Sequence, residues 1–268
     1  MTAWPNGLED QAEVRRDDQL RELVRSSPPL MRALAVVRES GLADAWIGAG
    51  VLRDLVWGSR YGHGFDLRTV RDVDVAFFDP ADLNRDNDQE ATARLAVLET
   101  GLPWEAKNQA AVHTWYPQRF GGPPVPPFQS IAEAVATWPE YATAVAIQLG
   151  PDDHILVCAP HGLYDLLDGV WRRNPTRVSE HTSQQRLARH RPAQRWPGVR
   201  VISNPQRGGE QRLPSCSSPT APVALPILVR VSRLALVVTV GRRRCHVAPW
   251  KRPSAASHRR QNGRAQQP

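Results

Sequence analysis

The stretch Ala45–Phe78, AWIGAGVLRDLVWGSRYGHGFDLRTVRDVDVAFF, decides the fold. A short apolar run at 45–47 precedes Gly48-Ala49-Gly50, and apolar residues at helical spacing follow over 51–57. After a loop, the segment 70–78 is dense in β-branched and aromatic residues, which is typical of a strand. The sequence therefore predicts a strand, a glycine turn, a helix and a second strand, in that order.

The second of these strands carries two carboxylates, Asp72 and Asp74. Residues i and i+2 of a strand point to the same face, so the two side chains would lie side by side while Val73 and Val75 enter a core. Carboxylates this close repel each other unless a cation lies between them, and Mg²⁺ is commonly held by one or two carboxylates together with phosphate oxygens. The pair predicts a metal site; the alternative interpretation is a solvated strand edge.

The turn Gly48-Ala49-Gly50 lies between the first strand and the helix. Glycines there would let the backbone approach a phosphate, and the N-terminus of a helix favours an anion. The turn therefore predicts that Gly48 and Gly50 approach a phosphate group. The alternative is a tight turn without a ligand.

Further elements are predicted on both sides of this stretch. We predict helices over 8–40, broken at Ser26-Ser27-Pro28-Pro29, and over 87–100, 130–137 and 163–170. We also predict a strand over 104–112 or one that turns at Asn108, a surface loop over 117–127, and a hairpin of 142–149 with 154–157. Residues 172–202 are polar and arginine-rich with weak periodicity, so no element is predicted there.

Composition separates a body from a tail. The chain has 268 residues with 34 Lys+Arg against 27 Asp+Glu, and its 41% of hydrophobic residues excludes wholesale disorder. Residues 203–268 contain twelve basic residues and one acid, Glu210, so residues 1–202 contain 22 basic and 26 acidic residues. The basic excess is therefore no evidence that the body binds nucleic acid. Three widely spaced cysteines without a C-x-x-C argue against a disulfide framework or a zinc site.

The tail, residues 203–268, permits two interpretations. It is either a basic, disordered arm that contacts nucleic acid electrostatically, or sequence translated past the usual stop through a frameshift or read-through. We expect the body to fold without it. The N-terminus lacks the apolar region of a signal peptide, and the most apolar stretch, 222–241, contains two arginines and a proline near its centre. We therefore expect a cytoplasmic protein with no membrane contact.

The turn, the helix and the Asp-x-Asp strand together resemble the nucleotidyltransferase superfamily that includes DNA polymerase β. Over roughly residues 30–202 the chain resembles more closely a bacterial family of nucleotidyltransferase-like proteins of unknown substrate. The matching stretches include Gly48–Arg53, Asp72–Val75 with Phe78-Asp79, Trp104–Ala110, Trp138-Pro139-Glu140 and Arg195-Trp196-Pro197. The gap from Gly50 to Asp72 is longer than in most superfamily members, and Gly50 follows Ala49 rather than a glycine.

The resemblance implies further site residues. Superfamily members use a third carboxylate from a neighbouring strand, and Glu105 is the candidate; the alternative is a surface ion pair with Lys107. Arg53, one turn into the helix, would reach a phosphate, or would pair with Asp54 or the aspartates of the strand. Lys107 and Asn108 would contact the nucleotide, or would belong to a hydrogen-bonded structural turn.

The expected fold is an α/β (α+β) domain of the polymerase β type over 30–202, a mixed, mostly antiparallel sheet with helices, after a helical segment over 1–29 and before the extension 203–268. The expected function is metal-dependent transfer of a nucleoside monophosphate from an NTP to a hydroxyl of an unknown acceptor (a protein, RNA or a small molecule). Asp72, Asp74 and Glu105 would be catalytic, with Mg²⁺ or Mn²⁺ on the two aspartates. The alternatives are an inactive nucleotide- or partner-binding protein with this fold, and nucleic-acid binding through the tail. Glu105 discriminates between catalysis and the first alternative: a Glu105 carboxylate outside metal-bridging distance of Asp72 and Asp74 would count against catalysis.

Overall fold

The computed structural model describes residues 7–121 and 124–202. Its centre is a five-stranded sheet in the order β3-β2-β1-β4-β5. The strands are β1 (Trp46–Gly48), β2 (Val73–Phe77), β3 (Trp104–Asn108), β4 (Ala146–Leu149) and β5 (Ile155–Cys158). Only β2 and β3 are parallel within this sheet; the other neighbours are antiparallel. The predicted fold class, a mixed and mostly antiparallel sheet with helices, is confirmed.

Helices connect and cover the strands. Their bounds are α1 (Gly7–Arg25), α2 (Pro28–Glu39), α3 (Gly50–Tyr61), α4 (Asp86–Leu98), α5 (Val112–Phe120), α6 (Ile131–Val135), α7 (Tyr164–Leu167), α8 (Glu180–His190) and α9 (Pro192–Arg195), with 3₁₀ turns at Leu67–Thr69, Gln109–Ala111 and Tyr141–Thr143. A small parallel pair, β6 (Val170–Arg172) and β7 (Arg200–Ile202), lies outside the main sheet. The break predicted in the first helical stretch is confirmed, because Pro28 opens α2 at a position where proline fits a helix.

The sheet separates two cores of unequal size. Val73, Val75 and Phe77 of β2 enter the large core, which buries residues of α1 to α4. Ala76 points to the other face, where it packs with Ile131 and Val135 of α6 in a small cluster. Asp74 shares the face of Ala76, so the carboxylate lies beside the small cluster and opposite the large core.

Three expectations about local structure differ from the structure. The loop expected from residue 117 begins later, since α5 continues through Pro117 to Phe120. A proline in the sixth position of a short helix removes one hydrogen bond without ending it. Residues 172–202 contain α8, α9 and β7 instead of lacking elements. The helix expected over 163–170 is confined to α7, and β6 begins at Val170.

The tail from residue 203 and the first six residues lie outside the described part of the chain. Between residues 7 and 202, leaving out 122–123, no helix has the length and apolar character that a membrane crossing requires.

Candidate active site

A row of neighbouring residues crosses the exposed face of the sheet. Asp74 of β2 is paired with Gly48 of antiparallel β1 on one side and with Glu105 of parallel β3 on the other. Residues paired in this way point to the same face, so Glu105 stands directly beside Asp74. Asp72, two residues before Asp74, lines the same cavity. The structure thus brings the three predicted carboxylates to one face.

Asp74 occupies an environment that disfavours its charge. Burial, and then the negative charges of Asp72 and Glu105, raise the pKa of Asp74 to about 7. The positive charges of Arg186 and Arg53 oppose this shift and only partly offset it. Three neighbouring carboxylates, one of them with a raised pKa, form a cluster whose mutual repulsion a bound cation would relieve.

The carboxylates open into a cavity of about 580 Å³. Four acidic side chains line it, together with six that are always or usually cationic. The acids are Asp54, Asp72, Asp74 and Glu105, and the cations are Arg53, Arg71, Lys107, Arg186, Arg189 and Arg195. A cavity of this size with both acidic and basic side chains suits a metal-bound phosphate compound, because carboxylates bind the metal and the cations bind the phosphates.

The glycine turn is built differently from the expectation. Gly48 does not line the cavity: a Cβ there would lie 2.6 Å from the Trp138 ring and 2.9 Å from the Val145 carbonyl oxygen. Gly50 does line it, and a Cβ there would meet only Arg53, at 3.5 Å. The left-handed residue of the turn is Ala49, with φ 58° and ψ −120°. Gly48 thus makes room for Trp138, and Gly50 alone leaves open space in front of α3.

Arg53 is held inside the protein. Its Nε and Nη2 donate to Asp54 Oδ1 at 2.8 and 2.6 Å, and its guanidinium lies over the rings of Trp171 and Trp196. Asp54 also accepts from Arg195 at 3.1 Å. The pair with Asp54 is the alternative named from the sequence, although Arg53 still lines the cavity.

Lys107 and Asn108 go to opposite faces of β3, because successive residues of a strand alternate. Lys107 lines the cavity, with its Nζ 3.6 Å from Glu105 and 3.6 Å from Asp88. Asn108 is buried and does not line the cavity. Its amide accepts from Asp79 and Ala110 and donates to the carbonyls of Asp79 and Asp82. Asn108 therefore forms the structural turn of the alternative interpretation.

Asp72 and Asp74 suit a divalent metal that shares its coordination with a substrate. Across residues 7–121 and 124–202, no three His, Cys, Asp or Glu side chains are grouped closely enough to hold a metal by themselves, so Glu105 does not complete a three-ligand group. Mg²⁺ commonly needs only one or two carboxylates, with water and phosphate oxygens supplying the rest. The hard oxygen donors and the raised pKa of Asp74 fit such an ion.

Helix α8 supplies cavity residues that the sequence analysis missed: Arg186, Arg189 and His190. The helix buries none of its side chains completely, so it has no apolar period to reveal it. A different signal was present. Ser179 caps the helix by accepting from the Thr182 amide, Glu180 lies in its first turn, and Arg189 and His190 lie in its last. That order of charges complements a helix dipole.

The two glycines give a matched pair of substitutions. Gly48→Val should destabilise the fold by roughly 3 kcal/mol, because the new side chain overlaps the Trp138 ring and a backbone carbonyl.

Gly50→Val should leave the melting temperature within a few degrees of the wild-type value, yet weaken nucleotide binding about tenfold by covering the start of α3. Thermal melts and nucleotide titrations check both. A Gly50→Val protein that binds with undiminished affinity would remove this turn from the site.

Comparison with known proteins identifies the family of the chain and a solved structure with a similar fold. The sequence model of a family described as nucleotidyltransferase matches residues 35–201. An NMR structure described as a CCA-adding enzyme head domain is 28% identical, with a TM-score of 0.59 over 70% of this chain and 96% of that chain. No curated protein matches the chain.

Longer solved chains are also similar in part. A Thermotoga maritima CCA-adding enzyme complexed with tRNA is 18% identical with a TM-score of 0.43 over 69% of this chain. A CCA-adding enzyme complexed with CTP is 19% identical with a TM-score of 0.43 over 70% of this chain. This chain spans only 42% and 43% of those two chains.

Proposed function

Because the chain belongs to the nucleotidyltransferase family, we propose that it transfers a nucleoside monophosphate from an NTP to a hydroxyl group of an acceptor, using Mg²⁺ or Mn²⁺ held by Asp72 and Asp74. The observation that carries the proposal is the environment of Asp74. Its half-buried carboxylate lies beside two others, with its pKa raised to about 7, inside a cavity that also holds six cationic side chains. A bound cation relieves that repulsion, and the surrounding cations suit phosphates.

The reaction requires little covalent chemistry from the protein. The acceptor oxygen forms a bond to the α-phosphorus, the bond from that phosphorus to the oxygen bridging the β-phosphate breaks, and pyrophosphate leaves with the electron pair. Asp72 and Asp74 would hold the divalent metal, which when bound would stabilise the negative charge on the phosphate oxygens. The amides at the start of α3 bind phosphate oxygens at the open space beside Gly50, and the cavity arginines hold the nucleotide in place.

Glu105 is the candidate acceptor of the hydroxyl proton. It stands beside Asp74 on the cavity face, and its carboxylate is half exposed, so an acceptor can reach it. A second candidate function is an inactive nucleotide-binding protein with this fold. Two observations favour it: Glu105 pairs with Lys107 at 3.6 Å, and among the described residues Glu105 belongs to no three-ligand metal group. Glu105→Gln separates the two: in an active enzyme it should preserve nucleotide affinity and lower the rate of transfer.

The full chain should be incubated with each labelled NTP, Mg²⁺ or Mn²⁺, and cell extract, and labelled protein, RNA and small molecules should be separated. We expect one class to acquire label together with release of pyrophosphate, and no label when chelator is present. Nucleotide affinity is measured in parallel by titration calorimetry. Nucleotide binding without transfer to any class would support the inactive protein, and the absence of both would refute the proposal.

A further inference from the structure

The last two turns of α8 carry three polar side chains toward the cavity. Arg186, Arg189 and His190 are spaced i, i+3 and i+4, so they share one face of the helix. All three line the cavity that holds Asp72 and Asp74. The helix lies more than a hundred residues after these aspartates, so only the tertiary fold brings the two groups together.

Arg186 is held in one position by Glu140. The Glu140 side chain is completely buried, and its two oxygens accept from Arg186 Nε and Nη2 at 2.6 and 2.8 Å. Thr143 Oγ1 donates to the same carboxylate at 3.2 Å. A buried, bidentate pair fixes the plane of the guanidinium, while about a quarter of the Arg186 side chain stays exposed.

Arg189 has no comparable partner. Among the described residues no carboxylate lies within 4 Å of its guanidinium, whose Nη2 donates to His190 Nε2 at 3.2 Å. Burial and the nearby charges of Arg186 and Arg71 lower the pKa of Arg189. Burial, and then four surrounding arginines, lower the pKa of His190 to about 3, so the ring is neutral at physiological pH and adds no charge. Within the described part of the chain, this end of the cavity therefore presents the guanidinium of Arg189 without a carboxylate partner, next to the paired guanidinium of Arg186.

We propose that Arg186 and Arg189 form the site that binds the β- and γ-phosphates of the nucleotide, and then the leaving pyrophosphate, and that Glu140 positions Arg186 for this contact. The inference rests on the proposed function. Two guanidinium groups on one helix face match an anion with several phosphate groups, because each can donate two parallel hydrogen bonds to phosphate oxygens. Helix α8 then acts in addition to the amides of α3, since residues of both helices line the cavity.

The phosphate site is tested by measuring the affinity of the protein for tripolyphosphate in the presence of EDTA. This probe has no nucleoside and EDTA removes divalent metal, so only contacts to phosphate are measured. The full chain should bind this probe, and Arg189→Gln should weaken binding roughly tenfold to 100-fold, the effect expected for losing one charge-assisted hydrogen-bond donor. Arg32→Gln is the matched control, since Arg32 is an exposed arginine paired with Glu99 outside the cavity. Asp74→Asn should leave the affinity unchanged or raise it, because it removes a negative charge.

The positioning role of Glu140 is measured by a double-mutant cycle. Glu140→Gln should weaken tripolyphosphate binding in the natural chain and have no further effect in the Arg186→Gln background. A structural role alone would give the same loss in both backgrounds and would overturn this part. Arg189 is exposed whereas Glu140 is buried, so Arg189→Gln should stay folded. If Glu140→Gln melts below the assay temperature, the tripolyphosphate affinity of Arg189→Gln still tests the proposed site.

Three outcomes are distinguished. Weaker binding by the Arg189 variant with an unchanged control supports the inference. If the wild type binds Mg·NTP, and the wild type and the Arg189 variant bind tripolyphosphate with equal affinity, the inference is overturned and the proposed function stands. Wild-type protein that binds neither Mg·NTP nor tripolyphosphate overturns both.

Discussion

Replacing both Asp72 and Asp74 with asparagine should abolish Mg²⁺-dependent NTP binding while the protein stays folded. Loss of a residue that only supports a metal ligand lowers affinity about 10- to 100-fold, so the loss of both proposed ligands should exceed roughly 100-fold. The fold should not suffer, because the substitution removes repulsion between neighbouring carboxylates. Titration calorimetry with each NTP, with and without Mg²⁺, measures the effect, and circular dichroism verifies the fold.

Asp152→Asn is the control for this variant. Asp152 is exposed in the turn between β4 and β5 and does not line the cavity, so its loss should change neither affinity nor melting temperature. Nucleotide affinity that survives in the Asp72/Asp74 double variant would show that the metal, if one is used, binds elsewhere. Tripolyphosphate binding in EDTA should survive in the double variant, because that contact depends on α8.

Asp74 should also make the stability of the metal-free protein depend on pH. The pKa of this group rises from 3.8 to about 7 on folding, so between these values the native state binds more protons than the unfolded state. Stability is then greatest below about pH 4 for this group and falls as pH rises through about 7. The full shift corresponds to about 4 kcal/mol.

Comparison with Asp74→Asn isolates this contribution from other titrating groups. In EDTA the variant and the wild type should melt at similar temperatures near pH 4, and at pH 8 the variant should melt roughly 8–15 °C higher. Mg²⁺ should stabilise the wild type at pH 8 and have little effect on the variant. Parallel melting curves of the two proteins from pH 4 to pH 8 would contradict the raised pKa and the crowding of the carboxylates.

The elements around the Asp-x-Asp strand could be predicted from the sequence, because their signals are local. The alternation from Val73 to Phe77 predicted a strand with its valines in a core and Asp74 on the opposite face, and the structure has this arrangement. The apolar spacing after Gly50 predicted α3. Each pattern follows from the period of one element, and that period does not depend on distant residues.

The same local reasoning failed where a residue serves a distant neighbour. Gly48 was predicted to approach a phosphate, but the space above it is filled by Trp138, ninety residues later. Asn108 was predicted to touch the nucleotide, yet it is buried and its side-chain amide bonds to the backbone of Asp79, Asp82 and Ala110. Glycine and asparagine suit both roles equally well, so residue type alone does not decide between them.

Which charged residues share the site depends on contacts between segments that are distant in the chain. The pairing of β2 with β3 places Glu105 beside Asp74, and a strand register cannot be read from either strand alone. Arg186 and Arg189 come from a helix without a buried apolar stripe, so hydrophobic periodicity could not reveal it. Arg186 is instead anchored by a buried ion pair with Glu140, 46 residues earlier in the chain. The sequence determined the carboxylates on their strand, and the folding of distant segments over that strand decided the cations that face them.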